Sequence, residues 1–197
     1  MRRKRILLFA IIVISCLLAI FYKMNTAKTD VMEEEQGKCA VVYFSATGNT
    51  RKVAHMMAQS IYTPIFEIKP EVPYTEEDLN WRDSLSRSSV EMRDSTMRPA
   101  IMDDLPDFSE YDLIYLGYPI WWGVAPRIIN TFIESQNLDS LQIVLFCTSG
   151  GSPAEPSLET LRRTYPNLRF DEAILLNNVA EDGLVETEMP DSSDASL

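Results

Sequence analysis

The chain has 197 residues, a net charge of −11 and three cysteines. That length holds one domain with an appendage, and three cysteines are too few for a disulfide framework. The acidity excludes nucleic acid as a partner, because such a surface repels phosphates.

The appendage comes first. Arg2-Arg3-Lys4-Arg5 precedes an apolar run over residues 6–22, interrupted only by Ser15 and Cys16. The run is about as short as a single membrane-spanning helix can be and longer than a signal-peptide core. The basic cluster would hold the amino terminus in the cytoplasm and send the rest across. A signal anchor over residues 1–23 is the favoured reading. Val13-Ile14-Ser15-Cys16 also passes as a loose lipobox with Cys16 as the lipidated residue, although residues 17–22 stay apolar after it. A cleaved signal is the third reading, and all three export the domain. Residues 23–197 then carry −15, a surface suited to docking on a basic partner or simply to solubility. Residues 24–37, with Lys28, Asp30 and Glu33-Glu34-Glu35, read as a polar tether.

A strand–helix alternation follows. Residues 38–44 form a first strand, almost entirely apolar and therefore buried on both faces. Ser45-Ala46-Thr47-Gly48-Asn49-Thr50 makes a small hydroxyl-rich turn, and a helix over 51–62 carries Val53, Ala54, Met57, Ala58 and Ile61 on one stripe. His55 falls on the polar side and reads as a solvated surface residue. Strand two is expected at 64–69, an amphipathic helix at 76–93, and strand three at 111–118. After the third strand comes Pro119-Ile120-Trp121-Trp122-Gly123, and Pro126 opens a helix with Ile129, Phe132 and Ile133 inward. Strand four, 141–148, runs into Ser149-Gly150-Gly151-Ser152; a helix starts at Pro156; strand five spans 169–176. Repeated units of this kind give a parallel sheet covered by helices on both faces. Cys39 and Cys147 fall at opposite ends of non-adjacent strands and read as packed thiols. The acidic tail, 180–197, offers no convincing final helix and reads as disordered. Either a short helix near 182–188 covers that face of the sheet, or another chain or the membrane does.

Three loops at the carboxyl edge of such a sheet share one kind of chemistry. The first is the turn at 45–50, where helix-start amides, the helix dipole and the hydroxyls of Ser45, Thr47 and Thr50 favour an anion. It has no lysine where a nucleotide-hydrolysing P-loop has one, so a phosphate monoester fits better than a triphosphate with magnesium. The second loop brings two adjacent indoles, and the third, Thr148 to Ser152, is small and glycine-rich. Phosphate donors facing an aromatic wall describe a pocket for flavin mononucleotide, FMN. Cys39 lies before the strand, outside any phosphatase-type loop, and no metal-ligand cluster is apparent.

The chain resembles the flavodoxin family over residues 38–179. The resemblance rests on Tyr43-Phe44-Ser45-Ala46-Thr47-Gly48-Asn49-Thr50, Tyr111-Asp112-Leu113-Ile114, Gly117-Tyr118-Pro119-Ile120-Trp121-Trp122-Gly123, Pro126, Thr131-Phe132, and Phe146-Cys147-Thr148-Ser149-Gly150-Gly151-Ser152. It implies an α/β three-layer sandwich with a five-stranded parallel sheet in the order 2-1-3-4-5. Ser45, Thr47 and Thr50, with the amides of Ala46, Gly48 and Asn49, would hold the phosphate. Trp121 or Trp122, with Trp121 preferred, would stack on the ring, and Gly123 would let the neighbouring peptide reorient. Thr148, Ser149, Gly150 and Gly151 would line the pyrimidine side. An electron carrier with a basic redox partner is the implied role. An FMN-dependent NAD(P)H:quinone oxidoreductase and a non-redox binding protein on the same fold are its rivals.

Overall fold

The computed structural model describes residues 37–177, together with the backbone of 179–180 and 183–184. The expected anchor, the tether up to residue 36 and most of the acidic tail lie outside the described residues. Five parallel strands make one sheet: β1 (Cys39–Tyr43), β2 (Ile65–Glu67), β3 (Leu113–Pro119), β4 (Gln142–Thr148) and β5 (Arg169–Leu175). Their order is β2-β1-β3-β4-β5, as the resemblance implies. The helices are α1 (Asn49–Ser60), α2 (Arg87–Arg93), α3 (Arg127–Ser135) and α4 (Glu155–Thr164).

Alternation along the strands sorts the core into two layers. Ala40, Val42 and Phe44 share one face with Leu116, Tyr118, Leu145 and Cys147, where they pack against Ile128, Ile129 and Phe132 of α3 and Leu158 and Leu161 of α4. Val41, Tyr43 and Phe146 look the other way, onto Val53, Ala54, Met57 and Ala58 of α1. Strands buried on both faces read as continuous apolar runs, which is why they stand out in the sequence. Gly117 sits beside Phe146 in the β3–β4 register, and a Cβ there would overlap the phenyl ring.

The helix expected over 76–93 forms only at its end, as α2. Side-chain hydrogen bonds divert the rest into turns, the usual competition between Asx or Ser/Thr groups and a helix. Thr75 and Asp78 exchange backbone-to-side-chain bonds, Asn80 Oδ1 accepts from the Arg82 N–H, and Asp83 Oδ1 accepts from the Leu85 N–H. Helix begins where Ser86 caps it, accepting the Ser89 N–H.

At the start of the tail, β6 (Val179–Ala180) and β7 (Gly183–Leu184) pair antiparallel, and β7 lies alongside α1. The two described thiols are unpaired: Cys147 is buried, and Cys39 is partly covered with its sulfur 3.2 Å from Thr63 Oγ1. His55 is exposed, as its place on the polar stripe of α1 implies. No helix among the described residues is long and apolar enough to cross a membrane.

Candidate functional site

The turn after β1 is built from its backbone outward. Gly48 is the N-cap of α1 at φ 89°, a left-handed conformation that costs glycine nothing. Its carbonyl receives the first helical bond, from the Lys52 N–H at 3.1 Å. The amides of Asn49 and Thr50 stand in the first turn, where a helix has no acceptor of its own for them. Ser45 is 8% exposed and its Oγ accepts the Gly48 N–H at 3.1 Å, which shapes the turn and leaves the hydroxyl proton outside that bond. Thr47 and Asn49 are exposed, and Ala46 is partly buried.

Thr50 departs from its expected role. It is buried, and its hydroxyl lies 2.8 Å from that of Thr148, so these two groups fasten the first loop to the end of β4. Thr47 is the exposed hydroxyl of the turn, and Ser45 and Thr50 are buried. A cation that the sequence reading did not place also stands near: Arg51, ion-paired with Glu67, comes within 3.9 Å of where a Gly48 side chain would begin.

The loop after β3 is a tight hairpin. Trp121 and Val124 exchange backbone hydrogen bonds of 3.0 and 3.1 Å around Trp122 and Gly123, at φ 48° and 80°. Two consecutive left-handed residues are what a two-residue primed turn demands. Trp121 is half-buried, its ring held edge-on by Phe44 at 5.8 Å and by Tyr74 at 5.4 Å. Trp122 is 51% exposed. The first indole is fixed by the core and the second stands at the rim.

Between these loops lies a cavity of about 320 Å³, inside the roughly 300–1,000 Å³ range of small-molecule sites. Ala46 and Thr47 line it from the turn, and Pro119, Ile120, Trp121 and Trp122 from the hairpin. A third wall comes from Leu79 and Trp81 of the β2–α2 connection and Ser88 of α2. None of these three was expected. Trp81 was the available signal, a solitary indole between Asn80 and Arg82 in a stretch too polar to need one for a core.

The third wall is anchored from behind. The Tyr74 hydroxyl donates to Glu91 Oε2 at 2.6 Å, and Arg87 Nε donates to Glu91 Oε1 at 2.7 Å. The Arg87 guanidinium also lies 4.0 Å from the Tyr74 ring centroid. Burial and the Glu91 carboxylate hold the Tyr74 phenol well above its ordinary range.

The glycine-rich loop after β4 does not line this cavity. Ser149 Oγ accepts the amides of Gly151 and Ser152 at 3.1 and 2.6 Å, while the Ser149 N–H donates to Asn177 Oδ1 at 2.7 Å. Gly150 belongs to this same turn, which is closed on itself and pinned to the end of β5. The fifteen expected residues therefore fall into a lining group, a turn backbone group and a fastening group. Among the described residues there is no cluster able to hold a metal ion.

The comparisons with known proteins bear on the family and the fold. The flavodoxin family pattern matches residues 38–189. A candidate flavoprotein from Bacteroides eggerthii DSM 20697 is 46% identical over 75% of this chain and 92% of its own, with a TM-score of 0.72. One from Bacteroides uniformis ATCC 8492 is 44% identical over 75% of this chain and 95% of its own, also at 0.72. A flavoprotein from Lactobacillus acidophilus NCFM, solved in complex with FMN, shares the fold at 22% identity, covering 71% of this chain and 93% of its own with a TM-score of 0.58. No curated protein matches the chain significantly. The chain belongs to the flavodoxin family.

Proposed function

We propose that this protein binds FMN and carries electrons, and that residues 1–23 tether it to the outer face of a membrane. The observation that carries the first part is one cavity bounded by an anion-favouring turn and a wall of indole. Family membership and the FMN complex of the Lactobacillus acidophilus protein support the cofactor. The tether is supported by the sequence of residues 1–23, and the outward orientation by Arg2-Arg3-Lys4-Arg5.

The residues present fit the group. Ser45, Thr47 and the first-turn amides of α1 would hold its phosphate, with Arg51 close enough to add charge. Trp121, immobilised by Phe44 and Tyr74, would present a preformed flat surface to the ring. Bound there, FMN supplies one- and two-electron chemistry, and the protein tunes it. The acidic surround disfavours a reduced, negatively charged ring. The same charge suits a redox partner with a basic docking surface.

Titrating the full chain in detergent with FMN and with riboflavin tests the reading. A yellow complex is expected with FMN. Thr47→Ala should lower FMN affinity about tenfold or more, the worth of one charge-assisted hydrogen bond, while leaving riboflavin unchanged. Equal losses for both ligands would defeat the phosphate assignment, and a chain that takes up neither would defeat the cofactor.

A further inference from the structure

We propose that Trp81 of the β2–α2 connection and Ser88 in the first turn of α2 form the wall that recognises the ring of the bound group, with Ser88 Oγ as hydrogen-bond partner to a polar atom at the ring's edge. The inference rests on the FMN reading and concerns residues outside the three loops that announce it in the sequence.

Three neighbouring serines provide an internal comparison. Ser86, Ser88 and Ser89 are all buried, at 6%, 2% and 6% exposure. Ser86 and Ser89 satisfy each other: their hydroxyls lie 2.9 Å apart, and Ser86 Oγ also accepts the Ser89 N–H at 3.3 Å. Ser88 Oγ has no partner among the described residues, and Ser88 is the serine that lines the cavity. A buried hydroxyl left without a partner is uncommon and calls for a reason. A side chain with one rotatable bond, on the wall of a cavity, finds that reason in a ligand atom.

The wall is also rigid. The Ser88 N–H donates to the Asp78 carbonyl at 3.0 Å, tying the helix to the turn that carries Leu79 and Trp81. Arg87 ties α2 to the chain that leads into it by donating to the Val72 carbonyl at 2.7 Å, and its Nε is paired within the helix to Glu91. Trp81 borders the cavity while remaining 64% exposed, with the Arg82 guanidinium 4.6 Å from its ring centroid. An exposed indole beside an orphaned hydroxyl suits a flat heteroaromatic ring with hydrogen-bonding atoms at its rim. The expected polar lining from Thr148 to Gly151 is spent on its own turn and on Thr50, which leaves Ser88 as the buried polar side chain of this cavity that lacks a partner.

The test compares Ser88→Ala and Trp81→Ala with the parent chain, using FMN and riboflavin as probes and thermal unfolding of the ligand-free protein as control. A ring contact predicts equal losses for the two ligands, about three- to tenfold for Ser88→Ala. Removing an unsatisfied hydroxyl should leave the ligand-free melting temperature unchanged or raised. Affinity down with stability not reduced is the signature; a merely structural serine would lower both. Trp81→Ala, at an exposed position, should weaken both ligands without affecting folding. Parent-like affinities in both variants would overturn the inference while leaving the FMN reading intact. A loss confined to FMN would make Ser88 a phosphate contact and overturn it as well. A parent chain that binds neither ligand would bring down the function and this wall together.

Discussion

The hairpin at Trp121–Val124 depends on two residues in the left-handed region, and they are not equivalent. Gly123 occupies φ 80° freely, whereas an indole-bearing residue at φ 48° is strained, of order 1–3 kcal/mol. The hairpin bonds and the packing of Trp121 hold Trp122 in place, so the exposed indole is presented at the rim rather than relaxed away. A Cβ at Gly123 would meet nothing within 4 Å, so Gly123→Ala isolates the backbone cost. A left-handed alanine costs about 1–2 kcal/mol, and the loss of unfolded-state freedom returns about 0.4–1. A net destabilisation of up to about 1.6 kcal/mol is expected in urea unfolding, with an unchanged m value; a gain in stability would mean that the turn is not primed. Glycine at 48 and 123 is legible in the sequence because the residue itself advertises the geometry. Trp122's conformation is not, since nothing local to an indole favours it. Nor is the Thr50–Thr148 bond, which joins residues 98 positions apart and exists only once β1 and β4 share a sheet.

Elements differ in how far local chemistry decides them. β1, β3 and β4 are apolar on both faces, and their boundaries shift by only a residue or two from expectation. The connection from 70 to 110 is where pattern reading failed. Its amphipathic spacing was real, but Thr75, Asp78, Asn80 and Asp83 each offer a side-chain acceptor that helix would leave unused. The missed third wall of the site follows from that same error: a helix over 76–93 gives no reason to bring Trp81 and Ser88 to one cavity. Within the sheet, Gly117 marks a position where packing overrides strand preference. Phe146 fills the space a side chain would take, so Gly117→Ala must displace a buried ring or bend β3. Overpacking of this kind costs about 1–3 kcal/mol, occasionally more, and the upper end is expected here because the ring has no route to solvent. Phe146→Leu in the Gly117→Ala background should recover part of the loss. If the double variant is as unstable as the sum of the two single changes, the steric explanation fails.

At the scale of the whole molecule, the buried layer between the sheet and α3 and α4 contains two groups that titrate in alkali. Burial pushes the Cys147 thiol up to about 12, against about 8.5 for a free cysteine. Burial likewise holds the Tyr118 phenol well above its ordinary range, with its hydroxyl 2.9 Å from Ser157 Oγ. In the unfolded chain the thiol loses its proton first, while the folded protein keeps it. The folded state therefore binds more protons across that interval, and unfolding becomes easier as pH rises. The stabilisation is complete below about pH 8.5 and drains away toward pH 12, at about 1.4 kcal/mol per pH unit for one group. Unfolding free energies at pH 8, 9 and 10 should fall along that slope, before phenols contribute. Cys147→Ala should begin from a lower value, because it leaves a small cavity, and should decline less steeply over the same range. The intercept reports packing and the slope reports the proton, so the two effects separate in one data set. Parallel slopes would mean that the thiol ionises within the folded protein, which a group enclosed by the sheet and two helices could do only if water reached the core.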